Sequence, residues 1–338
     1  QVQACEDKSL VTPENGLKNA DKLDTEIKMI FSMAGDYSTN QNTDILYAAS
    51  VLEDESKVEF IVCSDLYLTP SAKYADLLLP ETSFLERWNI GGTWSYGDYL
   101  ILSEKAIEPE FERRTDYDWL CEVAEKLGVR DAFTEGHETD RDWIAFLVND
   151  AAQKRPEDNI PTFDELLVKR RHLLTHRPHT QNVAFEQNIQ DPENNPFPTP
   201  SGKIEIFSKR LYDMHNPEIP ALSHYVPATE GPEDSLTAKY PLQLITWKGR
   251  NRANSTQFAN PWLQEVQRQE LWINPADAAD RGVSDGEKVK VHNDRGITMI
   301  PVKITQRIMP GVVALQAGAW WQPDAQGIDK GGCANVLS

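Results

Sequence analysis

Asp65 and Thr69 stand four residues apart in CSDLYLTPSA, directly after the apolar run Phe60 to Cys63. A carboxylate and a hydroxyl at the end of a buried strand lie where the polar edge of a ligand would be met in an open α/β sheet. A second group follows the apolar stretch LQLITW: in WKGRNRANSTQFAN, Lys248, Arg250 and Arg252 stand with Asn254, Ser255 and Thr256. Those side chains can hold a phosphate or a polar heterocycle through charge-assisted hydrogen bonds. They can equally form a solvated basic loop, because charge runs are usually solvated faces, and the residues alone leave both readings open. Gly331 and Gly332 near the chain's end allow a close backbone approach, or a plain Gly-rich turn. The cluster His172, His176 and His179 invites a metal, but no carboxylate is spaced alongside and Pro178 interrupts a common helical face, so none is assigned. Cys5, Cys63, Cys121 and Cys333 form no CxxC pair, which leaves neither a zinc nor an iron-sulfur motif.

The elements that position these residues are readable in outline. Phe60 to Asp65 reads as a strand buried on both faces. Thr69 can cap a short helix with Pro70 in first place, and Leu77 to Leu79 makes the next strand, stopped by Pro80. Upstream, Ile27 to Ala34 is a first strand and Asp44 to Leu52 a helix. Strand, helix, strand, strand is the doubly wound pattern. Between them Gly35, Asn40 and Gln41 fall at a strand's carboxyl end, where a tight turn satisfied by its own side chains is the plain reading. Arg87 to Pro109 holds Trp88, Trp94, Tyr96 and Tyr99, read as core or loop packing rather than a stacking platform. Thr115 to Leu127 is a helix with capping-box spacing at Asp118 and a stop at Gly128. Asp140 to Ala152 and Phe163 to Arg171 are weaker helices, and Ser201 to Ser208 (SGKIEIFS) alternates as a strand does. From Tyr240 short strands dominate: LQLITW, Leu271 to Ile273, a hairpin of Glu287 to His292 and Ile297 to Ile304, and Val312 to Gln316, with a helix capped by Asn274, begun by Pro275 and ended by Gly282. Strands without βαβ alternation indicate a β-barrel. The expected division is a surface connection over 1–26, an α/β nucleotide-binding domain over 27–150, a helical and Pro-rich connection over 151–239, and a barrel over 240–338.

The chain has 338 residues, with 34 Lys and Arg against 53 Asp and Glu, a formal charge of -19. That balance argues against nucleic acid as the main partner, while a local basic group can still hold a phosphate within a screening length. No stretch is long and apolar enough to span a bilayer. The chain opens on Gln1 and stops at Ser338 without a closing strand, so it is expected to be a piece of a longer protein.

Seven ordered blocks carry a family resemblance: IKMIFSMAGDYSTNQNTDI, SDLYLTPSAKYADLLLP, EKAIEPEFERRTDYDWLCEVAEKLG, NPFPTPSGKIEIFS, YPLQLITWKGRNRANST, LWINPADAADRGVSDGEKVKVHNDRG, and ITQRIMPGVVALQAGAWWQPD with GGCANVL. The chain resembles the carboxyl-terminal portion of the catalytic subunits of anaerobic dimethyl sulfoxide reductases, within the molybdopterin oxidoreductases that carry bis(molybdopterin guanine dinucleotide) with molybdenum. The resemblance implies that Asp65 and Thr69 bind a guanine, with Asn40 and Gln41 near the same nucleotide. It implies that Trp247, Lys248, Gly249, Arg250, Arg252 and Ser255 approach pterin and pyrophosphate, that Asn335 contacts a pterin, and that the barrel is of double-psi type. It places the 4Fe-4S cysteine motif, the serine that ligates molybdenum and the twin-arginine export signal upstream of these residues. It further implies an iron-sulfur electron-transfer subunit, a membrane anchor subunit, a small S-oxide or N-oxide substrate reduced in anaerobic respiration, and the periplasmic face of the membrane. No metal ligand or catalytic residue is expected in this chain, which alone should be inactive. The alternative is a cofactor-free relative serving as a scaffold in a larger redox complex; an NAD enzyme is disfavoured because Gly35 stands alone, without GxGxxG.

Overall fold

Three strands, β1 (Met29–Met33), β2 (Phe60–Asp65) and β3 (Leu77–Pro80), form a parallel sheet in that order. The computed structural model describes residues 5, 7, 27–92, 98–174 and 183–338. They fall into two compact units, Gln1–Leu174 with Tyr240–Ser338, and Thr175–Lys239. The sheet comes from the expected strands, but its order is sequential. The reversal of strand order that defines a doubly wound sheet is not present among the described residues.

Helix α1 (Ile45–Leu52) begins at Asp44, whose side chain accepts from the Tyr47 amide. It is apolar nearly all round, as a helix with two buried sides must be. Ala48, Val51 and Leu52 pack with Val58 and Ile61 against the sheet, while Ile45 and Ala49 pack on Trp321, Cys333 and Val336 from the chain's tail. Helix α2 (Asp116–Lys126) has the expected capping box between Thr115 and Asp118. It covers the opposite sheet face, with the Trp119 ring 5.1 Å from Phe31 and the Ser64 hydroxyl donating to Asp116 at 2.6 Å.

An antiparallel sheet of β4 (Asn89–Gly92), β5 (Tyr99–Ser103) and β6 (Arg171–Leu173) stands where loop packing was expected. Helices α3 (Asp140–Lys154) and α4 (Phe163–Lys169) close over it, burying Ile144, Val148, Phe163 and Leu166 with Leu102. The expected boundary at residue 150 therefore falls inside α3. His172 uses a ring nitrogen on the Asp158 carbonyl at 3.0 Å. Residues 1–4, 6, 8–26, Trp94, Tyr96, His176 and His179 lie outside the described residues.

In the second unit the expected strand at Ser201–Ser208 is not formed. The Thr199 hydroxyl donates to the Lys203 carbonyl at 2.6 Å, and Glu205 accepts from the Ser201 amide at 2.9 Å. Such local bonds compete with a ladder, and only Phe207 makes an isolated antiparallel bridge, to Leu222.

From residue 240 the strands appear as read. They are β7 (Gln243–Trp247), β8 (Leu271–Ile273), β9 (Lys288–His292), β10 (Ile297–Ile304) and β11 (Val312–Gln316), in the order β7-β11-β8-β10-β9. The pairs β7 with β11 and β8 with β10 are parallel; β11 with β8 and β9 with β10 are antiparallel. Alternate residues Leu271, Ile273, Ile300, Val302, Val313 and Leu315 make the core. Helix α5 (Pro261–Val266) precedes β8, and α6 (Pro275–Asp280), capped by Asn274, follows it. The ladders leave β7 and β9 as edges, and a Tyr240 hydroxyl bond to Asp294 at 2.7 Å spans between their ends.

Candidate functional site

At the carboxyl ends of β1 and β2 the structure gathers four acids or amides. Asp65 is half-buried, and its Oδ1 accepts from the Leu66 amide at 2.7 Å and the Tyr67 amide at 3.4 Å. Burial pushes its pKa up, the two amides oppose that, and Asp116 adds to it. Thr69 is buried, and its hydroxyl accepts from the Ala72 amide at 3.2 Å. The helix expected to be capped by Thr69 and begun by Pro70 is instead one 3-10 turn, Ala72–Tyr74, whose N-cap is Ser71. Asn40 is buried. Its Oδ1 accepts from the Trp321 amide at 2.9 Å and the Cys333 thiol at 3.6 Å, and its carbonyl accepts from Asn335 Nδ2 at 2.7 Å. Gln41 beside it is exposed.

Asp36 belongs to this group and was not singled out from the sequence. It is only 3% exposed, and its Oδ1 accepts from the Ser71 amide at 2.9 Å, the Ser71 hydroxyl at 2.5 Å and the Thr39 hydroxyl at 3.3 Å. Its Oδ2 is buried without a partner among the described residues. Burial raises its pKa, and the charge of Asp65 contributes in the same direction. The available signal was its place in the loop that follows β1, as Asp65 stands at the end of β2.

The loop after β7 divides. Lys248 and Arg250 are exposed; the Lys248 ammonium bonds Asn254, and the Arg250 amide reaches Gln267 at 3.4 Å. Arg252 is buried, with Nε on the Ala317 carbonyl at 3.2 Å and Nη2 on Gln269 Oε1 at 2.6 Å and the Gln316 carbonyl at 3.3 Å. Its guanidinium lies 5.1 Å over the Phe258 ring, and burial pulls its pKa down to about 10. Among the described residues no carboxylate lies within ion-pair distance of it. Gly249 has no room for a side chain: a Cβ there would meet Gln316 Nε2 at 1.6 Å. The ring of Trp247 is 4.5 Å from that of Trp272, and its Nε1 is buried without a partner, as are Gln316 Oε1 and Trp321 Nε1 among the described residues. The Ser255 carbonyl accepts from Trp320 Nε1 at 3.0 Å.

Asp329 organises the tail that meets this loop. It is fully buried and all its acceptor capacity is used. Oδ1 takes the amides of Gln322 at 2.8 Å and Gly331 at 3.0 Å, and Oδ2 takes the Thr298 hydroxyl at 2.7 Å and the amides of Gly332 and Cys333 at 2.8 Å each. That turn delivers Asn335 to Asn40. Gln269 joins Arg252 to the same turn through the Gly332 carbonyl at 3.0 Å. The two groups of predicted residues are thus linked, Asn335 through Asn40 to the sheet end and Arg252 through Gln269 to the tail. A cleft of about 760 Å³ lies against this junction, walled by Phe258, Gln264, Arg268, Gln269, Trp320 and Lys330. The volume suits a small-molecule or cofactor site.

Residues 3–126 match the description Molybdopterin oxidoreductase, and residues 242–338 match Molydopterin dinucleotide binding domain. The chain belongs to the molybdopterin oxidoreductase family. It is 42% identical to the dimethyl sulfoxide reductase DmsA of Escherichia coli (strain K12), over 96% of this chain and 40% of that protein. It is 36% identical to a dimethyl sulfoxide/trimethylamine N-oxide reductase of Rhodobacter capsulatus, over 83% of this chain and 35% of that protein. Acetylene hydratase from Pelobacter acetylenicus shares the fold with a TM-score of 0.66 at 19% identity, covering 94% of this chain and 41% of that one. The chain thus spans about two fifths of the length of the Escherichia coli reductase it matches. Within the family frame, the loop after β7 and the tail lie in the dinucleotide-binding match, and the sheet end lies in the oxidoreductase match. No helix among the described residues is long and apolar enough to cross a membrane.

Proposed function

We propose that this chain is the cofactor-binding carboxyl-terminal part of a reductase of S-oxides or N-oxides that carries bis(molybdopterin guanine dinucleotide). The observation that carries the reading is Arg252, a buried guanidinium with no carboxylate partner among the described residues, in the region matched by the dinucleotide-binding description. A buried cation is costly without a counter-charge, and a diphosphate supplies one. The residues present fit the group: Asp65 offers a carboxylate to the two adjacent N–H edges of a guanine, Asp36 Oδ2 is an acceptor without a donor, and Lys248, Arg250 and Arg252 gather on one loop. In this reading Asp65 and Thr69 orient the base with Asn40 and Gln41 nearby. Trp247, Gly249 and Ser255 line the approach of pterin and pyrophosphate, and Asn335 holds a pterin. When bound, the cofactor supplies the two-electron redox chemistry. The protein's part is to bind and orient it. In the same reading the three-stranded sheet is part of a doubly wound sheet, β7–β11 are strands of a double-psi-like barrel, and domain borders fall near 27–150 and 240–338. The whole enzyme would work at the periplasmic face with an iron-sulfur subunit and a membrane anchor.

A second reading, a cofactor-free scaffold, draws on Asn40 and Arg252, whose polar groups already have partners within the chain. Molybdenum and released guanine nucleotide, measured on the full-length protein, separate the two. About two guanines per molybdenum are expected, as a bis-dinucleotide cofactor requires, with a lower content in Asp65→Ala and Arg250→Ala. Protein free of both molybdenum and guanine would overturn the proposal in favour of the scaffold.

A further inference from the structure

A second cleft, of about 460 Å³, shares none of its walls with the site above. The turn after β3 supplies Thr82, Glu86, Arg87 and Trp88, the segment before α2 supplies Lys105 and Arg113, and the first turns of α2 and α3 complete it. Its carboxylates are engaged in ion pairs or amide bonds. Glu86 Oε2 takes the Ser83 amide at 2.8 Å, its Oε1 lies in an ion pair 2.9 Å from Arg113 without a hydrogen bond among the described residues, and Asp118 takes the Thr115 amide at 3.1 Å. Asp140 takes the Trp88 amide at 3.1 Å and its neighbour's amide at 2.7 Å, and Glu108 pairs with Lys105 at 2.7 Å.

Its donors are not all occupied. Thr82 is 1% exposed, and its hydroxyl has no partner among the described residues. Arg87 binds Glu81 through Nη1 at 2.6 Å, but its Nε–H is buried and likewise without a partner. The Arg141 guanidinium carbon lies 5.5 Å and 5.2 Å from the ring centroids of Trp88 and Phe163, which holds it without a carboxylate among the described residues. The N-termini of α2 and α3, helices of 11 and 15 residues, open on the same cleft, each with two aspartates in its first turn. A wall whose carboxylates each face a cation or an amide, and whose Thr82, Arg87 and Arg141 have donors to spare, favours a ligand that accepts.

We propose that this cleft binds a phosphate group, either as inorganic phosphate or as a small phosphomonoester. Arg141 would clamp the oxygens from the rim and Thr82 with Arg87 would meet them at the wall. The inference does not depend on the cofactor reading. The test is calorimetric titration of the full-length protein with inorganic phosphate and, separately, phenyl phosphate, repeated on Thr82→Val and Arg141→Ala. Molybdenum content or, if there is none, melting temperature serves as the check of folding. Saturable binding is expected, weakened at least tenfold in each variant. Tighter binding of phenyl phosphate would assign the site to a phosphomonoester beside Trp88, and equal or weaker binding to inorganic phosphate. No binding of either probe, or wild-type affinity in either folded variant, would overturn the proposal.

Discussion

Gly249→Ala tests how the loop after β7 is built. A Cβ at this position would lie 1.6 Å from Gln316 Nε2 and 2.2 Å from its Cδ. Gln316 is 1% exposed and donates from Nε2 to Asn251 Oδ1 at 2.6 Å, so it has no free volume to move into and a bond to lose. Overpacking a filled interior costs about 1–3 kcal/mol. Orphaning the buried Asn251 oxygen adds about 1–3 kcal/mol, for a total on the order of 2–6 kcal/mol. Gly282→Ala is the control: its φ of +63° lies in the left-handed region, but nothing stands within 4 Å of the added Cβ, so about 1–2 kcal/mol is expected. Denaturant midpoints at unchanged slope give both values. The decisive arm is the double variant, because shortening the obstructing side chain in Gln316→Ser should reduce the effect of Gly249→Ala to less than about 1 kcal/mol. A Gly249→Ala protein within about 0.5 kcal/mol of the parent, or no relief in the Gln316→Ser background, would refute the packing argument.

Two further outcomes follow from buried carboxylates. Asp36 has its pKa raised by burial, so between the ordinary carboxylate value and its own the native state holds more protons than the unfolded one, and stability falls as pH rises through that window. Asp36→Asn keeps an acceptor for Ser71 and Thr39. It should therefore melt higher than the parent at pH 7 in cofactor-free protein, with the difference shrinking on acidification; a pH-independent difference would count against the charge. Asp329→Ala strands four backbone amides and the Thr298 hydroxyl in the interior, and at least about 4 kcal/mol should be lost, seen as a fall in the denaturant midpoint.

Strands β7 to β11 could be read in the sequence because each short alternating run is bounded by strong local chemistry: the Asn274-Pro275 helix start, the Asn293 to Gly296 turn, Gly311 before β11. Strand β4 could not, since Asn89, Gly91 and Gly92 have little strand preference and are held by pairing with β5. Ser201–Ser208 shows the opposite failure: alternation was present, but local side-chain bonds closed a turn first. Asp65 was legible as the end of a strand, and Thr69 as a polar residue just beyond it, though not the single 3-10 turn that follows. Asp36 was not, because its burial depends on Ser71, 35 residues later. Nor could composition separate buried Arg252 from exposed Arg250 two positions away. That difference is made by Gln269, Gln316 and Ala317, which lie far along the chain.

Asn40 bonds Trp321 across 281 residues and Asn335 across 295. At a synthesis rate of roughly 5–20 residues per second, about 15–60 seconds separate the appearance of the loop from that of its partners. Through that interval the side of α1 that carries Ile45 and Ala49 lacks Trp321, Cys333 and Val336 to pack on, and the Asn40 turn lacks its bonds to the tail. The junction between sheet and tail is therefore a late event in the life of the polypeptide. A ligand that needs the finished junction is taken up only after Trp321 and Asn335 have been made, and chaperone occupancy of α1 should be greatest just before Trp321 is made.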